Sequence, residues 1–348
     1  MATARRAKNH AVNLLLLLSS IGLALVMAEG VSRKLGDSTI FVKGIWHGFD
    51  ELLHRFVSDP HLGYRPDPKF LHQFGGRYGY QNGLEYEGAS AASVTNIAFL
   101  GDSLVQYRYA ENIVPKLLDP NKYRVWNIGV SGYNTLQESR YFQYQIEKLP
   151  DHLVLVYCFN DSRGSMSIRP WGDKEEQKFT RTEFEPLAYV FPELFRVSSL
   201  YRRLVHSYIK FTGSGGRSPL DIDRNLVQLG LLELKDSTRR NNISFTVLIF
   251  PYNIKLEQDL WSRENYQLIK SLVAELDIKH VDMVPDFLSR DMNLLFREND
   301  VVHPNALGHY LGYKKLFLSH PEQFGLSPRE ITRVEKAMAQ NLSEVLTH

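Results

Sequence analysis

The sequence predicts a three-layer α/β/α domain on a parallel sheet of about five strands, behind one N-terminal transmembrane helix. Three observations predict it. From Asn96 onward, short apolar runs without helical period alternate with segments of helical period. Strands that alternate with helices pair in parallel, with helices on both faces. Polar residues able to do chemistry stand where those runs end, and open α/β sheets bind ligands there. Lastly, an apolar stretch, Ala11–Ala28, follows Arg5, Arg6 and Lys8.

Composition narrows the function. The 348 residues are 43% hydrophobic and 23% charged, an ordinary globular mixture. The 41 basic and 39 acidic residues leave a net charge of +2, which gives no nucleic-acid surface. Cys158 is the only cysteine, so an intramolecular disulfide is impossible and a cysteine-based zinc site is disfavoured.

The N-terminal stretch Ala11–Ala28 would span about 27 Å as a helix, close to the roughly 30 Å hydrocarbon core. Two readings compete, a cleaved secretory signal and an uncleaved anchor. The anchor is favoured, because the apolar core is longer than a signal's and Val26-Met27-Ala28 is only a passable cleavage site. The basic residues ahead of it put residues 1–30 at the cytoplasmic tip and in the membrane, with the rest outside; Arg33 and Lys34 pull the other way. Residues 31–94 form an extension of mixed signals. A helix is expected near Phe49–Val57, turns across Ser58–Pro68, and a hairpin at Asn82-Gly83 within Tyr78–Tyr86.

The main domain is expected over 95–320. Asn96–Leu100 is a buried strand, broken by Gly101, and a helix runs from Leu104 toward Leu118. The turn between them lifts Ser103 above the strand ends, where the start of a helix offers N–H groups to an anion. In isolation Asp102 and Ser103 read equally well as helix caps. Tyr123–Ile128 is a second strand, ending in a loop with Gly129 and Gly132, and a helix follows over Leu136–Leu149. Leu153–Tyr157 is a third strand, which leads into Phe159-Asn160-Asp161. Phe245–Phe250 is a fourth and Lys279–Val284 a weaker fifth, with helices near Asp223–Asn241 and Asp259–Leu276. Residues 162–220 are too long for a simple crossover and read as an insertion, with a helical piece near Ser198–Phe211. Near the C-terminus, Asp300 and His303 are three apart, close enough to meet in one turn. A carboxylate there would fix the imidazole's tautomer and stabilise its cation. A helix over Asn305–Leu318 follows, and 321–348 ends in an amphipathic helix over Ser327–Leu346.

These residues resemble the four blocks of the SGNH/GDSL hydrolases, serine esterases and lipases with a flavodoxin-like sheet. Gly101-Asp102-Ser103-Leu104 is similar to the first block, Ser131-Gly132 to the second, Asn160-Asp161 to the third and Asp300-Val301-Val302-His303 to the last. The resemblance covers roughly Asn96–Leu318, and the blocks keep the family's order. Two positions depart from it: Cys158 stands where the third block has glycine, and Tyr133 follows Gly132. The resemblance implies a triad of Ser103 (nucleophile), His303 (base) and Asp300 (orienting acid). It implies an oxyanion hole from the N–H groups of Ser103 and Gly132 and the amide of Asn160, with Gly129 a rival to Gly132. It requires no metal or organic cofactor. The expected substrate is an acyl ester, and membrane-tethered members that modify surface polysaccharides suggest O-acetyl groups on a carbohydrate. An O-acyltransferase would use the same residues, and a non-catalytic binding protein of a polysaccharide system is a remoter alternative. Asp102 and Asp161 are expected to serve only turn and loop hydrogen bonds. Cys158 is expected to be a buried strand residue, and His309 lacks a carboxylate at matching spacing.

Overall fold

The computed structural model describes residues 2–35, 56–67, 94–145, 149–171, 176–181, 194, 198–201, 203–204, 222–254, 256, 259–298 and 300–337. The chain divides into two compact units, residues 1–53 with 168–216, and residues 54–167 with 217–348.

In the first unit, helix α1 runs over Ala2–Leu35, longer at both ends than the apolar stretch. Leu15–Lys34 within it has a mean hydropathy of 1.9 and is 6% buried. Leu16 and Val26 are 62% and 70% exposed. Leucine side chains exposed to this degree among the described residues make an apolar surface that water disfavours. Near its end Glu29 accepts hydrogen bonds from Ser198 Oγ at 2.7 Å and from the Ser199 and Leu200 N–H groups at 3.0 and 2.9 Å, which caps the segment starting there. The remainder of the helical piece expected to Phe211 lies outside the described residues.

The second unit opens with a hairpin of β1 (Phe56–Asp59) and β2 (Gly63–Pro66). This corrects the helix expected over Phe49–Val57: Phe56 and Val57 are strand, and residues 49–55 lie outside the described ones. Asp59 closes the turn by accepting from the His61 and Leu62 N–H groups, both at 2.9 Å, a local bond that competes with helix. The hairpin expected at Tyr78–Tyr86 also lies outside the described residues.

The sheet follows, with β3 (Thr95–Gly101), the one-turn α2 (Ser103–Gln106), α3 (Tyr109–Leu117), β4 (Tyr123–Gly129), α4 (Thr135–Gln145) and β5 (His152–Tyr157). Inside the expected insertion, β6 (Met166–Trp171) and β7 (Glu176–Arg181) form a two-stranded sheet. Then come α5 (Arg224–Arg240), β8 (Ser244–Ile249), α6 (Leu260–Glu275), β9 (His280–Asp282), α7 (Val284–Leu288), α8 (Ala306–Ser319) and α9 (Pro328–Lys336). Residues 338–346 of the expected last helix lie outside the described residues.

The five strands order as β4-β3-β5-β8-β9, all parallel. Counted within the sheet this is 2-1-3-4-5, the flavodoxin-like order, which places a ligand crevice where β3 and β5 diverge. The central strands read as continuous apolar runs because helices cover both faces: Phe99, Val154, Leu155, Val247 and Leu248 are 0% exposed. Asp223, Asp259 and Asn305, the first residues of three expected helices, are N-caps whose side chains accept N–H bonds.

The helix expected from Leu104 to Leu118 is broken in two. Arg108 adopts φ 66°, a left-handed conformation that ends a helix. The break leaves Tyr107 46% exposed.

Candidate active site

Register sets the site. Gly101 pairs with Gly129 on one side and Val156 on the other, so β3, β4 and β5 end at one level. Ser103, the 129–134 loop and Asn160 follow those ends.

Asp102 caps α2, its Oδ1 accepting from the Leu104 N–H at 2.9 Å. The turn is anchored to β4, where Asn127 Nδ2 donates to the Val105 carbonyl at 2.9 Å. Gly129 allows the contact, since a Cβ there would lie 2.4 Å from the Gln106 nitrogen. Its own N–H donates to Asn127 Oδ1 at 2.9 Å, which removes it as a rival to Gly132. Gly132 has φ 80°, a conformation glycine adopts at least cost. Around it, Gln106 Oε1 accepts from the Ser131 N–H and Tyr64 Oη donates to the Ser131 carbonyl, both at 2.6 Å. The β1–β2 hairpin thus braces the second loop.

The last block forms a closed loop. Asp300 Oδ1 accepts from the Val302 and His303 N–H groups at 2.8 and 3.1 Å. Phe296 bridges Pro304, and the Arg297 N–H donates to the His303 carbonyl at 3.1 Å. Asn305 Nδ2 ties down the carbonyls of Leu294 and Phe296 at 2.9 and 3.0 Å. From this loop His303 Nδ1 lies 2.6 Å from Asp300 Oδ2, and His303 Nε2 lies 2.8 Å from Ser103 Oγ. Burial alone would raise the Asp300 pKa; the two N–H bonds and the imidazole hold it below its ordinary value. Asp300 is therefore ionised at neutral pH. This fixes the tautomer, with Nδ1 protonated toward Asp300 and Nε2 free to accept from Ser103.

Asn160 sits in a single 3₁₀ turn, Phe159–Ser162, after β5. Its Nδ2 donates to Asp102 Oδ2 at 2.7 Å, and its Oδ1 accepts from Tyr252 Oη at 2.7 Å and from Cys158 Sγ at 2.6 Å. One amide hydrogen of Asn160 and the N–H groups of Ser103 and Gly132 engage no partner among the described residues. Because α2 is a single turn, these donors act individually, without a long helix behind them. Cys158 is extended, at φ −128° and ψ 170°, so the third-block path needs no glycine.

The environment sorts the remaining groups. Cys158 is 0% exposed, and burial, then Asp102 and Asp161, push its thiol well above its ordinary value. It stays protonated and is no nucleophile. His309 is also 0% exposed, and burial, then His303, lower its pKa to about 3. Its Nδ1 meets Tyr313 Oη at 3.2 Å and its ring stacks on Tyr109. Asp102, Cys158 and Asp161 place ligand-type atoms within 4.8 Å of one another. Asp102 is already engaged by Ser103, Leu104 and Asn160, and Asp161 Oδ2 by the Cys158 N–H at 2.8 Å. That arrangement is a hydrogen-bond frame for the turn.

Three features escape the sequence. Asp102 is expected only to cap a turn, yet its Oδ2 also accepts from Ser103 Oγ at 3.1 Å and from Asn160, so it joins the first and third blocks. Tyr252, two residues past the fourth predicted strand, fixes which end of the Asn160 amide donates. Glu138 is 0% exposed with neither carboxyl oxygen partnered among the described residues. A tyrosine after a strand-ending proline, or a glutamate in a helix, carries no periodic signal.

No family model matches the chain, and neither does any curated protein. Several solved structures do. An acetylxylan esterase from Geobacillus stearothermophilus is 17% identical with a TM-score of 0.42, over 68% of this chain and 96% of that one. A putative acylhydrolase from Bacteroides fragilis is 13% identical with a TM-score of 0.38, over 70% of this chain and 100% of that one. An SGNH-hydrolase family esterase is 14% identical with a TM-score of 0.34, over 68% and 97%.

Proposed function

We propose that the chain is a serine ester hydrolase of the SGNH/GDSL kind. The observation that supports it is the continuous line from Asp300 through His303 to Ser103, at 2.6 and 2.8 Å across 200 positions of sequence. Buried Ser103 and part-exposed Asp300 and His303 do not meet so by accident of helix or strand.

In this reading Ser103 Oγ attacks the acyl carbonyl while His303 Nε2 takes its proton. Asp300 stabilises the imidazolium. The tetrahedral oxyanion is received by the Ser103 and Gly132 N–H groups and the remaining Asn160 amide hydrogen. His303 returns its proton to the leaving alkoxide, and water then releases the acyl group by the reverse path. The exposed apolar α1 anchors the chain in a membrane, with the catalytic unit outside the cytoplasm, where O-acetylated surface carbohydrate is the substrate.

The test is full-length protein in detergent given an ester panel, with Ser103→Ala as control. Turnover and fluorophosphonate labelling that both vanish in Ser103→Ala are expected. Turnover equal to wild type in that variant would refute the mechanism. Acyl transfer to an added glycan in place of free acid would make the enzyme an O-acyltransferase. Absence of fluorophosphonate labelling in wild type would favour a binding protein.

A further inference from the structure

The broken helix after Ser103 puts Tyr107 beside the imidazole, and the last loop puts Arg297 over Tyr107. The Tyr107 and His303 rings meet edge to face at 5.1 Å, with 88° between their planes. The Arg297 guanidinium lies over the Tyr107 ring, 4.6 Å from its centroid. Tyr107 is 46% exposed and Arg297 is exposed as well. Arg297 makes no ion pair among the described residues, whereas the neighbouring Arg108 is paired with Glu111. A guanidinium held over a ring leaves N–H groups of its planar fork open to a carboxylate, which that fork can take by two parallel hydrogen bonds. The ring and the backbone bond from the Arg297 N–H to the His303 carbonyl at 3.1 Å restrict where that charge can be.

Position decides what the pair would hold. His303 gives its proton to the departing alkoxide, so the alcohol leaves from the imidazole's side of Ser103. Tyr107 lies against that same imidazole, and the Arg297 guanidinium lies over Tyr107. We propose that Arg297, held over Tyr107, is a subsite for a carboxylate carried on the alcohol part of the ester. The enzyme would then select esters of acidic alcohols, such as acyl groups on an acidic sugar. This rests on the esterase reading and narrows it.

The experiment uses full-length protein and two small acetyl esters of one shape, 4-acetoxybenzoate and 4-acetoxybenzamide. Wild type is expected to prefer the anionic ester. Arg297→Ala should lower kcat/KM for the anion about tenfold more than for the amide, through KM. Arg297→Lys, which keeps the charge and loses the planar edge, should fall between them. The preference should shrink as salt rises. Equal losses on both esters, or no preference in wild type, would overturn the subsite. Calorimetry with 4-hydroxybenzoate and 4-hydroxybenzamide reads the subsite without turnover. Selective binding of the acid, lost in Arg297→Ala, supports the subsite, and equal binding refutes it. Failure of wild type to cleave either ester, with selective binding retained, would reject the esterase reading alone.

Discussion

The loop at residues 295–305 and two fully buried helix positions, Glu138 and His309, contain the same kinds of titratable residue. In the loop Asp300 and His303 are part-exposed, and each polar atom facing inward has a partner. Glu138 and His309 are 0% exposed and keep polar atoms without a partner among the described residues. Burial is offset at Asp300 by donated hydrogen bonds, and the group stays charged. No hydrogen bond among the described residues offsets it at Glu138, which burial, then Asp161 and Asp102, push well above the usual carboxyl range. An acid or a base becomes usable where donors and access coincide, whichever residue type is present.

The largest effects should separate the two histidines. His303→Ala and Ser103→Ala are each expected to lower kcat by about four to six orders of magnitude with melting nearly unchanged. Asp300→Asn should cost about four orders of magnitude by spoiling the tautomer. His309→Ala should do the reverse, losing about 2–4 kcal/mol of stability as a cavity opens, with kcat within about twofold. Urea melts and steady-state kinetics on the same preparations check both. A His309 variant that folds fully and is inactive would break the distinction.

The comparison also shows what a sequence can disclose. β3, the turn to Ser103 and the Asp300/His303 spacing are local, and each follows from a run length, a glycine or a three-residue interval. The helix caps at Asp223, Asp259 and Asn305 are legible for the same reason. What is not legible depends on distant contacts. Arg108 takes a left-handed conformation without the glycine or asparagine that usually marks one, so a continuous helix is the natural expectation. Phe56 and Val57 fit a helical pattern, but Tyr64 of the paired strand bonds Ser131 and draws them into a hairpin. Asp102 joins Ser103 to Asn160 only because β3 and β5 are neighbours.

Next in size is the amide. Asn160→Ala should lower kcat by about two to three orders of magnitude with little change in KM, since an oxyanion donor acts in the transition state. Tyr252→Phe removes one of the two donors that hold the Asn160 oxygen, leaving Cys158 Sγ, and should cost about tenfold. Combined with Asn160→Ala it should cost nothing further, because Tyr252 acts through that amide. An additive double variant would show that Tyr252 acts elsewhere.

The smallest effect concerns stability, and its sign distinguishes the two carboxyls. Asp300 is held below its ordinary value when folded, so its contribution is present above the unfolded pKa of about 4 and is lost as pH falls through the folded value. Glu138 is raised when folded, so its contribution is present below the unfolded pKa of about 4.3 and is lost as pH rises through the folded value. Between those two values the protein must hold Glu138 neutral against its own tendency to ionise. Glu138→Gln keeps the shape, removes that demand and should raise the melting temperature by a few degrees at neutral pH. The gain should vanish as pH falls toward about 4, where the unfolded glutamate is protonated too. Calorimetric melts across that range check it. A gain that grows toward acid would mean that Glu138 is ionised in the folded protein, with its charge compensated by groups on its helix or on the strands below it.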